Sequence, residues 1–326
     1  MNAASKDAVL TLDRLSVSIY GQPVVNEVSL TINRGECIGL VGESGCGKTM
    51  TALAVMGLLP GGATARGSIR LEERELLGLG ANAVSAIRGR DIGMVFQEPL
   101  TALNPVQTVG AQVAEMYRIH ERAGARAAQR RAIEALAEVQ LSDPSRRARA
   151  YPHELSGGMR QRAMLAMALA CRPKVLIADE PTTALDVTVQ AQILDLVRRL
   201  AEDRNMAILF ITHNLAVISD LADKVLVMYA GRPVETAPTR ALFESPEHPY
   251  SAALLATVPR LGHRRTRLPA LPALEESGPL SDGCAFARRC QYSEPQCHVA
   301  VPPLTNARNG RRIACFNPLN RTEGQA

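Results

Sequence analysis

The sequence predicts an α/β fold with a mixed sheet core, an antiparallel β subdomain, a helical subdomain and a small cysteine-containing C-terminal extension. Three observations predict it. A strand-length apolar run, Cys37 to Val41, leads into a glycine-rich loop and then a helical stretch. Two further apolar runs, Val175 to Ala178 and Ala207 to Ile211, end in polar residues, as buried parallel strands do. Between them the apolar spacing turns helical. With 326 residues, 46% of them hydrophobic and 21% charged, the chain can bury one large core and carry an appendage.

In chain order, Val9 to Ile32 alternates in strand fashion and forms the antiparallel sheet. The loop Gly42-Glu43-Ser44-Gly45-Cys46-Gly47-Lys48-Thr49 is a complete G-x-x-x-x-G-K-[ST] phosphate loop, and Met50 to Leu59 after it reads as a helix ended by Pro60-Gly61-Gly62. Its glycines let successive amides point inward at an anion, and the helix N-terminus adds partial positive charge. Lys48 then reaches the β- and γ-phosphates of ATP, and the Thr49 hydroxyl suits a magnesium ligand.

Val109, Val113 and Met116, then Ile133, Leu136 and Val139, recur at helical spacing, so the helical subdomain is placed at about residues 100–165. Within it, Leu155-Ser156-Gly157-Gly158-Met159-Arg160-Gln161 opens a helix over Met159 to Ala170. That helix tip is a second anion site with a hydroxyl and several unpaired amides. Beyond it, Val175 to Ala178 runs into Asp179-Glu180-Pro181, two carboxylates at the edge of the sheet where ligands of such folds sit. Val189, Ile193, Leu196, Val197 and Leu200 mark a further amphipathic helix. The strand Ala207 to Ile211 then ends at Thr212-His213-Asn214.

The stretch Leu155 to Gln161 resembles the signature motif of ATP-binding cassette (ABC) proteins, and with the phosphate loop it makes the chain similar to the motor subunit of an ABC transporter. The resemblance implies a P-loop NTPase cassette and assigns roles. Asp179 holds magnesium with Thr49 and Gln97, and Glu180 is the general base. Gln97, in Phe96-Gln97-Glu98-Pro99, is the Q-loop glutamine, and His213 is the switch histidine. Thr183-Ala184-Leu185-Asp186 is the D-loop, Tyr20 stacks on adenine, and Met50 borders the nucleotide. Ser156, Gly157 and Gly158 of one cassette close over the ATP of another. One polypeptide has no need of two γ-phosphate sites, so a dimer follows.

Beyond about residue 240 the texture shifts to proline, arginine and small residues. The chain divides into a nucleotide-binding domain over 1–240 and an extension over 241–326. Cys284, Cys290, Cys297 and Cys315 lie there, separated by five, six and seventeen residues. In a reducing compartment a metal or cluster explains them better than disulfides. None of the gaps is a tight C-x-x-C, which favours a 4Fe-4S cluster over zinc. Pro246-Glu247-His248-Pro249-Tyr250 and Gly283 to Cys290 resemble the C-terminal region of oligopeptide and dipeptide importer ATPases, some of which carry such a cluster. Gln97 to Pro105 resembles the peptide, nickel and opine importers.

The implied protein is an ATP-hydrolysing subunit of a binding-protein-dependent importer of di- or oligopeptides, with nickel, opines or glutathione as alternative cargo. A cluster-regulated or sensing ATPase is the more remote reading. Its partners are two transmembrane permease subunits, a second homologous ATPase subunit, favoured as a heterodimer, and a periplasmic or extracellular substrate-binding protein. The net charge of +5 comes without a basic block of nucleic-acid type, so no nucleic acid is expected. The interval from Thr49 to Ser156 is too short for the coiled coil of DNA-repair and chromosome ATPases, and one cassette excludes the tandem translation factors. No run is long enough to span a bilayer, and no signal-peptide stretch is present. The expected location is the cytoplasmic face of the bacterial inner membrane, held there by partners.

Overall fold

The computed structural model describes residues 7–98, 102–183, 185–257 and 282–319. Pro99, Leu100 and Thr101 of the Q-loop segment and Ala184 of the D-loop segment lie outside them.

The first strands form a four-stranded antiparallel sheet. β1 (Ala8–Ile19) pairs with β2 (Gln22–Asn33) across a tight turn. The alternating residues Leu10, Leu12, Leu15, Val17, Val28 and Ile32 are buried on one face, which fixes the register because a one-residue slip would turn them to solvent. β3 (Cys37–Val41) is buried throughout, as its unbroken apolar run requires. It feeds the phosphate loop and the helix Lys48–Met56. That helix stops at Gly57, whose left-handed φ of 60° closes the C-cap. β4 (Ala63–Leu71) and β5 (Arg74–Glu75) complete the first sheet in the order β2-β1-β4-β5.

β6 (Ile92–Val95), β7 (Val175–Asp179), β8 (Ala207–Thr212) and β9 (Lys224–Tyr229) join β3 in a parallel core, and β10 (Arg232–Pro238) adds antiparallel to β9. Between β6 and β7 stand the helices Val109–Glu121, Ala125–Glu138 and Gly157–Leu169. Val109 and Val113 are fully buried, but Tyr117 rather than Met116 completes the inward stripe, since residue 117 lies four positions after 113. The helix Val187–Arg204 buries Ile193, Leu196, Val197 and Leu200, while Val189 is only half-buried.

The tail contributes more than an appendage. β11 (Thr305–Asn306) and β12 (Arg312–Ile313) extend the large sheet, whose order is β11-β12-β10-β9-β3-β8-β7-β6. Tyr250, Leu254 and Phe286 share one continuous core with Val41, Val227 and Tyr229 of the parallel strands. Arg311 fixes this return: its guanidinium donates to the carbonyls of Ala241 and Ser245 at 2.7 and 2.6 Å and lies 3.6 Å from the fully buried Glu235 and 3.2 Å from Glu247.

Candidate nucleotide site and cysteine cluster

The phosphate loop follows β3 directly, at the carboxyl edge of the parallel strands. Gly47 caps the helix with φ 98°, and a Cβ there would stand 2.8 Å from the Val24 carbonyl oxygen, so glycine is required by both backbone and space. Lys48 is buried, and its ammonium donates to the carbonyls of Gly42 and Glu43 at 2.8 and 2.9 Å. Ser44, Gly45 and Thr49 are exposed on the open side, whereas Cys46 and half-buried Met50 face the core. Cys46 is therefore a packing residue of the loop, its thiol pushed up by burial.

β7 delivers Asp179 beside this loop. Burial raises its carboxyl, which the Thr49 hydroxyl beside it partly offsets by a hydrogen bond. Its Oδ1 is buried with no hydrogen-bond partner among the described residues. A buried, unpartnered carboxylate oxygen next to a hydroxyl fits a hard divalent cation such as magnesium.

Glu180 is the centre of the second layer. Its φ of 46° is left-handed, unusual for a residue with a side chain, and its amide donates to the Ile211 carbonyl of the neighbouring strand at 2.9 Å. The strained turn aims the carboxylate at three groups from three segments. Gln97 Nε2 donates to Oε2 at 3.1 Å, Thr183 Oγ1 donates to the same oxygen at 3.0 Å, and His213 Nδ1 lies 2.9 Å from Oε1. Gln97, Glu180 and His213 come together as the sequence predicts, while Thr183, expected only as part of the D-loop segment, adds a hydrogen bond to Glu180 that nothing in its run of two threonines signals.

Tyr20 is 82% exposed at the β1–β2 turn, lying over Gly62 rather than packing into its own sheet. Ser156 caps the helix Gly157–Leu169, its hydroxyl accepting from Met159 N at 3.4 Å. Gly158 of that tip abuts Val189, and a Cβ there would come within 2.7 Å of it. Asp186 caps the next helix through Val189 N at 3.0 Å.

Two of the four tail cysteines are joined through the backbone. The Cys284 amide donates to the Cys297 carbonyl at 2.7 Å. Burial pushes the Cys284 and Cys290 thiols up and Cys315 to about 12, with the other cysteines adding, against backbone N–H groups of Phe286, Tyr292 and Asn317. Among the described residues, however, no group of three or more His, Cys, Asp or Glu is arranged to hold a metal ion. The expected iron–sulfur or zinc site thus finds no ready-made cage. Each sulfur accepts from its own local backbone, that of Cys297 from the Glu294 amide at 3.5 Å.

Comparison with known proteins gives the following matches. A family model described as "ABC transporter" matches residues 25–183, and one described as "Oligopeptide/dipeptide transporter, C-terminal region" matches 234–297. A putative peptide import ATP-binding protein of Brucella melitensis is 49% identical over 306 residues, covering 90% of each chain. The dipeptide transport ATP-binding protein of Escherichia coli is 42% identical over 320 residues, covering 96% of this chain and 98% of its own. An oligopeptide transport ATP-binding protein of Mycobacterium tuberculosis is 50% identical over 301 residues, but only 49% of that longer protein is spanned. A solved ATP-binding cassette dimer in a post-hydrolysis state, bound to ADP and Pi, is 27% identical, covers 71% of this chain and 99% of its own, and superposes with a TM-score of 0.63. Among the described residues no helix is long and apolar enough to cross a membrane.

Proposed function

This chain belongs to the ABC transporter family, among the ATP-binding proteins of peptide import, and from that premise we propose that it is the ATP-hydrolysing motor of a di- or oligopeptide importer. The observation that carries the reading is the Glu180 carboxylate, held by Gln97, Thr183 and His213 beside a phosphate loop. Phosphoryl transfer asks a protein mainly for positioning and charge. The loop amides and Lys48 hold the triphosphate, while Tyr20 offers an exposed ring to the adenine. Glu180 takes the proton of the attacking water as the γ-phosphorus–oxygen bond to ADP breaks. Thr49, Asp179 and Gln97 would hold magnesium, which when bound neutralises charge on the β- and γ-phosphates.

Ser156, Gly157 and Gly158 complete the site of a second cassette, and Asp186 stands near that seam. Closure of the pair thereby couples hydrolysis to motion. The partner cassette is a homologous subunit rather than a second copy. Two permeases and a substrate-binding protein complete the assembly, and the chain sits on the cytoplasmic face of the membrane through them. The chain then divides into the nucleotide-binding domain over 1–240 and the importer-type extension over 241–326. The four cysteines are proposed to take a 4Fe-4S cluster, with zinc as the alternative, on the strength of their number and spacing in the sequence; among the described residues they are not arranged as a metal cage, so binding requires the thiols to turn toward one another. An anaerobically purified chain that is colourless and free of iron removes this part of the reading.

The main test is ATP turnover of the purified membrane complex. Stimulation by a binding protein loaded with a short peptide is expected. Stimulation by a binding protein loaded with nickel, an opine or glutathione alone transfers the cargo to that alternative, and no stimulation by any of them ends the importer reading.

A further inference from the structure

Glu43 is the second residue of the phosphate loop, and its polar groups are held from two directions. Its carbonyl accepts the Lys48 ammonium at 2.9 Å, within the loop. Its amide donates to the Tyr250 hydroxyl at 2.9 Å, and its carboxylate is gripped by both terminal nitrogens of Arg289 at 2.8 Å each. Tyr250 and Arg289 both lie beyond residue 240, and Arg289 is 246 positions away from Glu43 in the chain.

The grip is itself supported. Arg289 is 5% exposed and Glu43 27% exposed as side chains, so the pair is largely shielded from water. The Tyr229 hydroxyl lies 3.0 Å from the same guanidinium. The rings of Tyr229, Tyr250 and Phe286 meet at centroid distances of 4.7, 5.2 and 5.3 Å, forming a rigid aromatic floor beneath it. A two-pronged Arg–carboxylate pair fixes orientation as well as charge. Fixing both the carboxylate and the amide of Glu43 leaves its backbone little freedom to turn, and the glycines that follow are the pliable part of the anion nest.

We propose that Arg289 is a positioning residue for the phosphate loop: by clamping Glu43 from the C-terminal extension, it holds the loop in its phosphate-binding geometry and makes ATP affinity depend on that extension. This rests on the ATP-motor reading above and adds a residue that reading did not use. Arg289 touches no nucleotide atom in this role, since it acts through Glu43.

The test is a double-mutant cycle on the purified full chain, with binding of a fluorescent ATP analogue as the readout. Arg289→Ala leaves a shielded carboxylate unpaired, and its Kd is expected to rise roughly tenfold. Glu43→Ala should lose a similar amount, and the double variant no more than the worse single one, because both break the same clamp. Arg289→Lys keeps the cation but not the two-pronged geometry, so a rise of about threefold is expected. This conservative variant keeps the test decisive should Arg289→Ala fail to fold. In the reconstituted complex the loss should appear in the KM for ATP more than in kcat. Wild-type affinity in both Arg289 variants, or single losses that multiply in the double variant, overturns the proposal. Lys48→Ala is measured beside them. If it too binds the analogue normally, the ATP-motor reading has failed, whereas loss in Lys48→Ala alone defeats only the clamp.

Discussion

The nucleotide edge and the C-terminal extension are both clusters of polar side chains drawn from distant points in the chain, yet they are built in opposite ways. At the nucleotide edge, groups are left open or strained: Asp179 Oδ1 has no partner among the described residues, Glu180 sits at a left-handed φ, and His213 is largely exposed. Where the extension meets the large sheet, the buried charged groups are satisfied internally. Glu235 accepts the amides of Glu247 and His248 at 3.0 Å each, and Arg311 spans two carbonyls and two carboxylates. The difference separates a site that awaits a ligand from a scaffold that is already complete. Substitutions at the first should change turnover, and those at the second should change stability.

The largest expected effect is at Glu180. Glu180→Gln should lower ATP turnover by about 10²–10⁴-fold while retaining ATP binding, and its unfolding midpoint should stay near that of the parent. Normal turnover would show that Glu180 is not the base and that the open edge is not where the chemistry occurs. Arg311→Ala strands Glu235 in the core without its cation and should cost about 3–5 kcal/mol in denaturant unfolding. A loss under 1 kcal/mol would show that the extension is held by apolar packing instead.

His248 sharpens the same side. It is fully buried and pushed down to about 3 by burial, with the Ala314 carbonyl opposing, and its Nδ1 accepts the Tyr250 amide at 3.0 Å. The unfolded chain takes up this proton near pH 6.5 and the folded chain does not. The stability it contributes is therefore present above about 6.5 and lost as pH falls toward 3, by about 1.4 kcal/mol per unit. Urea unfolding at two pH values in this window should show that slope, reduced in His248→Gln. The smallest effect is Thr183→Ala, which removes one hydrogen bond to Glu180 and should slow turnover by about 2–10-fold with stability nearly unchanged.

Much of the nucleotide edge was legible because each residue type there answers a chemical demand at a fixed spacing. Glycines 42, 45 and 47 read as a nest, and Lys48 follows directly. Asp179 and Glu180 announce themselves by ending an apolar run. The helix stripes were less legible in detail: Met116 and Tyr117 are neighbours, and only packing against the following helices decides which turns inward. The extension was legible in its composition and in the stretches Pro246 to Tyr250 and Gly283 to Cys290, but not in its strands. Thr305, Asn306, Arg312 and Ile313 make strands too short for any periodicity, formed because an existing edge receives them. The Arg289–Glu43 pair leaves no local trace, since neither residue differs from an ordinary surface charge until the fold joins them. The four cysteines show the converse: their spacing suggested a metal, but spacing does not specify whether the thiols face one another at ligating distance.

The outer hairpin of the large sheet has a consequence for self-association. β10 ends the run of long strands, and where Glu235 and Thr236 meet Ile313 and Arg312, its main-chain donors and acceptors are covered by β12 of the same chain. A shortened polypeptide ending after β10 would display these groups as an open template for strand exchange with other copies. Pro233 and Pro238 interrupt that template at either end. The tail thus moves the edge of the large sheet from β10 to the two-residue strand β11.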